Sequence, residues 1–121
     1  MSVVIDDTDE LYRRLVAAHI EPDGRINSGA FKTRPGTGIS VNLARLSSVE
    51  ETIAQGRHPG AGVGALVAKV PRGLGLDVIH DPTPENQAHA ELRGACSRSA
   101  CRVLAESTSI LTRPSDPPSR G

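Results

Sequence analysis

His80 and Asp81 are adjacent, and His89 and Glu91 follow within ten residues. Imidazoles and carboxylates this close can relay protons or bind a metal ion. Whether they meet depends on strand register. If 76–81 and 88–93 form a hairpin with His80 opposite His89, Val78 faces Glu91 and Leu76 faces Arg93. That register mixes apolar and charged residues on both faces. A shift of one residue sets Val78 against Leu92 and His80 against Ala90 on the inner side. Asp77 then faces Arg93, and Asp81 faces His89, on the outer side. Each favourable outer pair contributes roughly 0.2–1 kcal/mol. The shifted register is therefore predicted. It puts the two histidines on opposite faces, so no metal site is assigned, and Asp81 with His89 stands as a candidate binding pair.

Other motifs carry less chemistry. Gly60, Gly62 and Ala65 satisfy G-x-G-x-x-A formally. A dinucleotide fingerprint must follow a strand and open a helix, however, and here a helix precedes and a strand follows. Cys96 and Cys101 have no second cysteine pair, which argues against a zinc knuckle. On one helix they would lie about 140° apart, so they read as two small buried or half-buried residues rather than a disulfide. His19 and His58 fall at a helix end and in a loop and read as solvent-facing.

The elements that position these residues can be read in order. Residues 1–10 are acidic and read as frayed, with Val3 to Ile5 able to add a short edge strand. Residues 11–20 fit either period: Leu11, Leu15 and Ala18 make a helical stripe, and the alternation also suits a strand. Asp7 and Glu10 resemble a capping box, which favours helix. Glu21 to Gly24 (EPDG) is a turn. Strands are predicted near 39–43, 62–70, 76–81 and 88–93, the third halted by Pro82 and 71–75 forming a turn after Pro71. Helices are predicted near 48–55, capped by Ser47 or Ser48 with Glu50 or Glu51 as partner, and near 95–107. Ile110 and Leu111 dock briefly. Residues 113–121 are Pro-rich and polar and read as a disordered tail. The fold class is α+β: one domain over 11–112, an antiparallel or mixed sheet with helices on one face.

Composition narrows the function classes. Fourteen basic residues balance fourteen acidic ones, and Tyr12 and Phe31 are the only aromatics. Neither the charge excess nor the stacking platforms of a nucleic-acid binder are present. The N-terminus lacks the basic and apolar regions of a signal peptide, and no window reaches a membrane span. A soluble, cytoplasmic protein is expected, without membrane or nucleic-acid partners. A hydrophobic share of 37% predicts a small core that benefits from a partner.

Tyr12-Arg13, then Ile39-Ser40-Val41, then Glu91 is similar to the arginine, serine-strand and glutamate order of ADP-ribosyltransferases. In that family the Arg and Ser hold the nicotinamide dinucleotide and the Glu orients the ribose. The resemblance implies these roles for Arg13, Ser40 and Glu91, and it requires 11–16 to be a strand. Ser40 lacks the family's adjoining Ser or Thr, and His89 stands where the family has Gln or Glu.

The leading expectation from the sequence is a non-catalytic protein-interaction or regulatory module, with a protein partner or self-association and no cofactor. The alternative is a small enzyme of ADP-ribosyltransferase-like layout acting on NAD.

Overall fold

In a computed structural model, residues 3–32, 37–56 and 60–115 are described. They form an α+β fold around a six-stranded antiparallel sheet. The strands are β1 (Glu10–Leu15), β2 (Ile39–Leu43), β3 (Gly62–Val67), β4 (Asp77–His80), β5 (His89–Arg93) and β6 (Ser109–Thr112). Their order across the sheet is β4-β5-β2-β1-β3-β6. The helices are α1 (Val49–Ala54), α2 (Lys69–Gly73) and α3 (Arg98–Glu106). No helix among the described residues is long and apolar enough to cross a membrane.

The first correction concerns 11–20. Residues 10–15 are a strand, and only Ala17–His19 forms a turn of 3₁₀ helix. Leu11 and Leu15 are fully buried, and a separation of four satisfies both the strand and the helix period. The ladder decides: β1 pairs with β3 over six residues, Glu10 opposite Val67 through Leu15 opposite Gly62. Arg13 therefore shares the inward face with the two leucines. The resemblance of Asp7 with Glu10 to a capping box is what made the strand hard to read.

The predicted strand over 62–70 ends at Val67, and the predicted turn over 71–75 is mostly helix α2. Pro71 lies in the first turn of α2, where a backbone N–H has no helical partner to lose. The chain leaves the sheet where the Ala68 and Lys69 amides donate to the Asp9 and Asp7 carbonyls, each at 2.9 Å. Those carbonyls belong to the segment expected to be frayed. Over 3–9 it forms no strand, yet it is held down: Ile5 is buried, and Arg72 donates to the Ile5 carbonyl at 2.7 Å. The Val3 amide donates to Nδ1 of His80 at 3.0 Å. Nε2 of His80 lies 2.8 Å from the Gln87 carbonyl, so the ring carries its proton on Nε2.

One face of the sheet holds the core. Ile39, Val41 and Leu43 of β2, Ala90 and Leu92 of β5, and Leu11 and Leu66 pack against Phe31 and against Cys101, Leu104 and Ala105 of α3. Helices cover both faces, however, not one. α1 lies on the opposite side, joined by polar contacts: buried Asn42 donates to Thr52 Oγ1 at 3.1 Å and to Gln55 Oε1 at 2.9 Å. It accepts from Asn86 at 2.8 Å, and Arg14 donates to the Thr52 carbonyl. Of the two caps the sequence offers, Ser47 and Ser48, it is Ser48 that caps α1, accepting from the Glu51 amide. Ser97 caps α3 in the same way, so that helix begins three residues later than predicted.

β6 appears where only brief docking was predicted. Beyond it, the Ser115 amide donates to the Gly60 carbonyl at 2.7 Å, so the start of the predicted tail is tied to the turn before β3. Residues 116–121 and His58 lie outside the described residues.

Candidate functional site

β1 and β2 pair only at Leu11 with Leu43 and Tyr12 with Asn42. Beyond Tyr12 the two strands diverge, and Arg13 fills the opening. Its Nη1 donates to the Ser40 carbonyl at 2.8 Å and its Nε to the Ala30 carbonyl at 2.9 Å. Its Cζ lies 5.8 Å from the centre of the Phe31 ring. Burial, and then the nearby charge of Arg14, hold its pKa down to about 10. Arg13 thus remains cationic at neutral pH. Among the described residues no carboxylate lies within ion-pair distance of it. A desolvated cation held only by neutral carbonyls and a ring is suited to an anion.

The Ser40 carbonyl points toward β1, so Ser40 and its cross-strand partner Glu91 form a non-hydrogen-bonded pair. Side chains approach more closely in such pairs. The Glu91 carboxylate lies over Gly38: a Cβ built there would stand 2.6 Å from Oε1 and 3.2 Å from the Glu91 Cβ. Nε of Arg93 donates to Glu91 Oε1 at 3.0 Å and fixes the carboxylate from the other side. Gly38→Ala is accordingly expected to displace the Glu91 carboxylate while changing Tm by less than about 4 °C, since a flexible side chain yields more easily than backbone. Thermal melting and NAD binding measured on the same sample check this.

The hairpin register matches the sequence prediction residue by residue: Asp77 faces Arg93, Val78 faces Leu92 and His80 faces Ala90. Asp81 and His89 meet at its end. Nδ1 of His89 lies 2.9 Å from the Asp81 carbonyl and 3.7 Å from Asp81 Oδ2. With Nδ1 donating, Nε2 is free to accept from Ser40 Oγ, 3.4 Å away. The two candidate sets meet only through the β2 backbone: the Ser40 side chain contacts His89 and faces Glu91 on one face of the sheet, while Arg13, on the core face, holds the Ser40 carbonyl. Asp81, His89 and Glu91 offer ligand atoms within 4.8 Å of one another. Arg93, 3.0 Å from Glu91 and 3.7 Å from Asp81, already supplies a cation to both carboxylates and would oppose a metal ion there.

A cleft of about 1270 Å³ opens beside Glu91, lined among others by Ser28, Phe31, Thr37, Gly38, Arg93 and Cys96. It is large enough for a dinucleotide-sized ligand. The sequence reading missed the contribution of Phe31 and Gly38. Phe31 is one of two aromatics, and nothing in the sequence places it beside Arg13.

His19 is not the solvent-facing residue expected. It is half-buried, and Nδ1 accepts from the Val16 amide at 3.1 Å. Burial, and then the Arg13 charge, lower its pKa below the ordinary 6.5. The folded state therefore takes up this proton at lower pH than the unfolded chain does. Its stabilising contribution is complete above about pH 6.5 and is lost as pH falls toward the folded value. His19→Gln is expected to flatten that part of the Tm-against-pH curve; an unchanged slope would contradict the assignment.

Compared with protein-family models, curated proteins and solved structures, the chain finds no match in any of the three. A functional reading therefore rests on the chain's own residues.

Proposed function

We propose that the cleft beside Glu91, which Arg13 backs through the Phe31 ring without lining it, binds a nicotinamide dinucleotide, as in ADP-ribosyltransferases, and that the protein is a small enzyme acting on NAD. The observation that carries this reading is Arg13. It is a desolvated cation with no carboxylate partner among the described residues, donating to the carbonyl of Ser40, whose strand partner is Glu91. The pyrophosphate of a dinucleotide would supply the missing negative charge. Ser40 and Glu91 would meet the sugar, with Glu91 oriented by Arg93 and by the room over Gly38. The strand that the resemblance required is also present, since β1 covers 10–15. A cytoplasmic location fits an enzyme that draws on NAD.

Differential scanning fluorimetry of the full chain with NAD tests this. Tm is expected to rise with NAD concentration, by about 2.7 kcal/mol of added stability at a hundredfold excess over Kd. Arg13→Lys keeps the charge but loses the two-pronged donor geometry, and it is expected to abolish most of the shift. A wild-type Tm that ignores NAD would refute the reading.

The interaction-module reading retains one supporting observation. β6 is an edge strand, and Leu111 on it is 48% exposed. An extended segment of a protein partner, or of a second copy, could add to that edge. Sedimentation that shows concentration-dependent association, together with no response to NAD, would favour it.

A further inference from the structure

Cys96 and Cys101 were expected on one helix, facing different ways. α3 begins at Arg98, so Cys96 lies before the Ser97 cap and folds back toward the helix. The two Sγ atoms are 3.1 Å apart, and both thiols are free. Cys96 is partly exposed and Cys101 is buried. Both line the cleft beside Glu91. We propose that this pair is a modification site: a dithiol that a small-molecule disulfide oxidises to an intrachain disulfide.

The exposures fix the order of events. The thiolate of Cys96, the accessible member, attacks one sulfur of the small disulfide. A mixed disulfide forms on Cys96, and one small thiol leaves. The Cys101 sulfur, already in contact, then attacks Sγ of Cys96, and the second small thiol leaves. Two protein thiols and one small disulfide thus become one protein disulfide and two small thiols, with both thiol protons passing to the departing thiolates. Closing the last gap brings the sulfurs from 3.1 Å to a bond of about 2.05 Å. Burial, and then the hydrogen bond that the Cys96 thiol gives to Cys101, push the Cys96 thiol pKa up, so the first attack is the slow step.

The disulfide would also reach the cleft. The Cys101 thiol donates to the Phe31 carbonyl at 3.5 Å, and the Phe31 ring lies against Arg13. Oxidation removes that donor from the turn that holds Arg13 through the Ala30 carbonyl. This consequence rests on the dinucleotide reading; the disulfide itself does not.

The test uses the full chain incubated with glutathione disulfide, then acid-quenched, denatured, alkylated and weighed. The chain has only these two cysteines. The expected product has lost two hydrogens, carries no alkyl group and retains no glutathione. Cys101→Ser is expected to stop at a glutathione adduct on Cys96. A wild-type chain that keeps glutathione, or that remains doubly alkylated, would overturn the proposal. If NAD produces no Tm shift in either redox state while the disulfide still forms, only the dinucleotide reading fails.

Discussion

Replacing Glu91 by Gln is expected to slow NAD cleavage about a hundredfold or more while leaving NAD binding within a few-fold of wild type. Breaking the bond between nicotinamide and ribose builds positive charge on the sugar, as in other glycosidic cleavages. A fixed carboxylate stabilises that charge more in the transition state than in the bound substrate. Glu91 meets the requirement: Arg93 holds Oε1 at 3.0 Å, and the carboxylate rests over Gly38, where no side chain intervenes. Gln keeps the shape and a carbonyl oxygen but loses the charge. The loss should therefore appear in kcat and not in the melting shift with NAD. Nicotinamide release followed chromatographically measures it; equal rates for the two proteins would remove Glu91 from the chemistry.

The largest stability effect is expected far from that site. A Cβ on Gly62 would stand 2.2 Å from the Thr112 carbonyl oxygen, 2.5 Å from the Pro114 nitrogen and 2.8 Å from the Arg113 carbonyl carbon. All three are backbone atoms, so no rotamer change relieves the clash. β6 would have to move off β3, beside the register shift between Val63 and Gly64. Gly62→Ala is expected to cost about 3 kcal/mol, the upper end for overpacking, and to lower Tm by roughly 10 °C. Gly73, at the end of α2, is the natural control because a Cβ there meets nothing within 4 Å. Gly73→Ala should raise stability by about 0.4–1 kcal/mol through the unfolded chain. Chemical denaturation of both variants checks the contrast, and equal effects would contradict the close approach of the two strands.

The parts of the fold that were legible in the sequence are those where one pattern excluded its competitor. The β4–β5 register followed from charge complementarity, because only one shift cleans both faces. Ser47 and Ser48, the alternative caps, announced α1. β1 was not legible as a strand, because Leu11 and Leu15 fit both periods and Asp7 with Glu10 resembled a capping box. The burial of Arg13 makes sense only once β1 and β2 diverge and the Ala30 and Ser40 carbonyls turn toward it. α2 was hidden by Pro71, which ends strands but is tolerated in a helix's first turn. β6 was hidden because it sits at an edge, with a burial pattern too exposed to show alternation.

The candidate site was legible as residue types and not as a place. Arg13, Ser40 and Glu91 are far apart in the chain, and Asp81 with His89 came from a separate line of reasoning. β2 unites them, carrying Ser40 between the Arg13 donor and the β5 pair. The cysteines are free, one half-buried and one buried, as expected, and only their placement on one helix fails. The helical angle between them is irrelevant once the Ser97 cap leaves Cys96 outside α3.

The central claim is that the cleft beside Glu91, backed by Arg13 through Phe31 and the Ser40 carbonyl, is a dinucleotide site. The most direct measurement is a backbone ¹H–¹⁵N NMR titration of the full chain with NAD, including the Nε–H signal of Arg13. The account predicts shifts confined to that signal and to the amides around Phe31, Gly38, Ser40 and Glu91. No shifts, or shifts gathered instead around Gly24, Arg102 and Arg113 on the crevice they line, would contradict it.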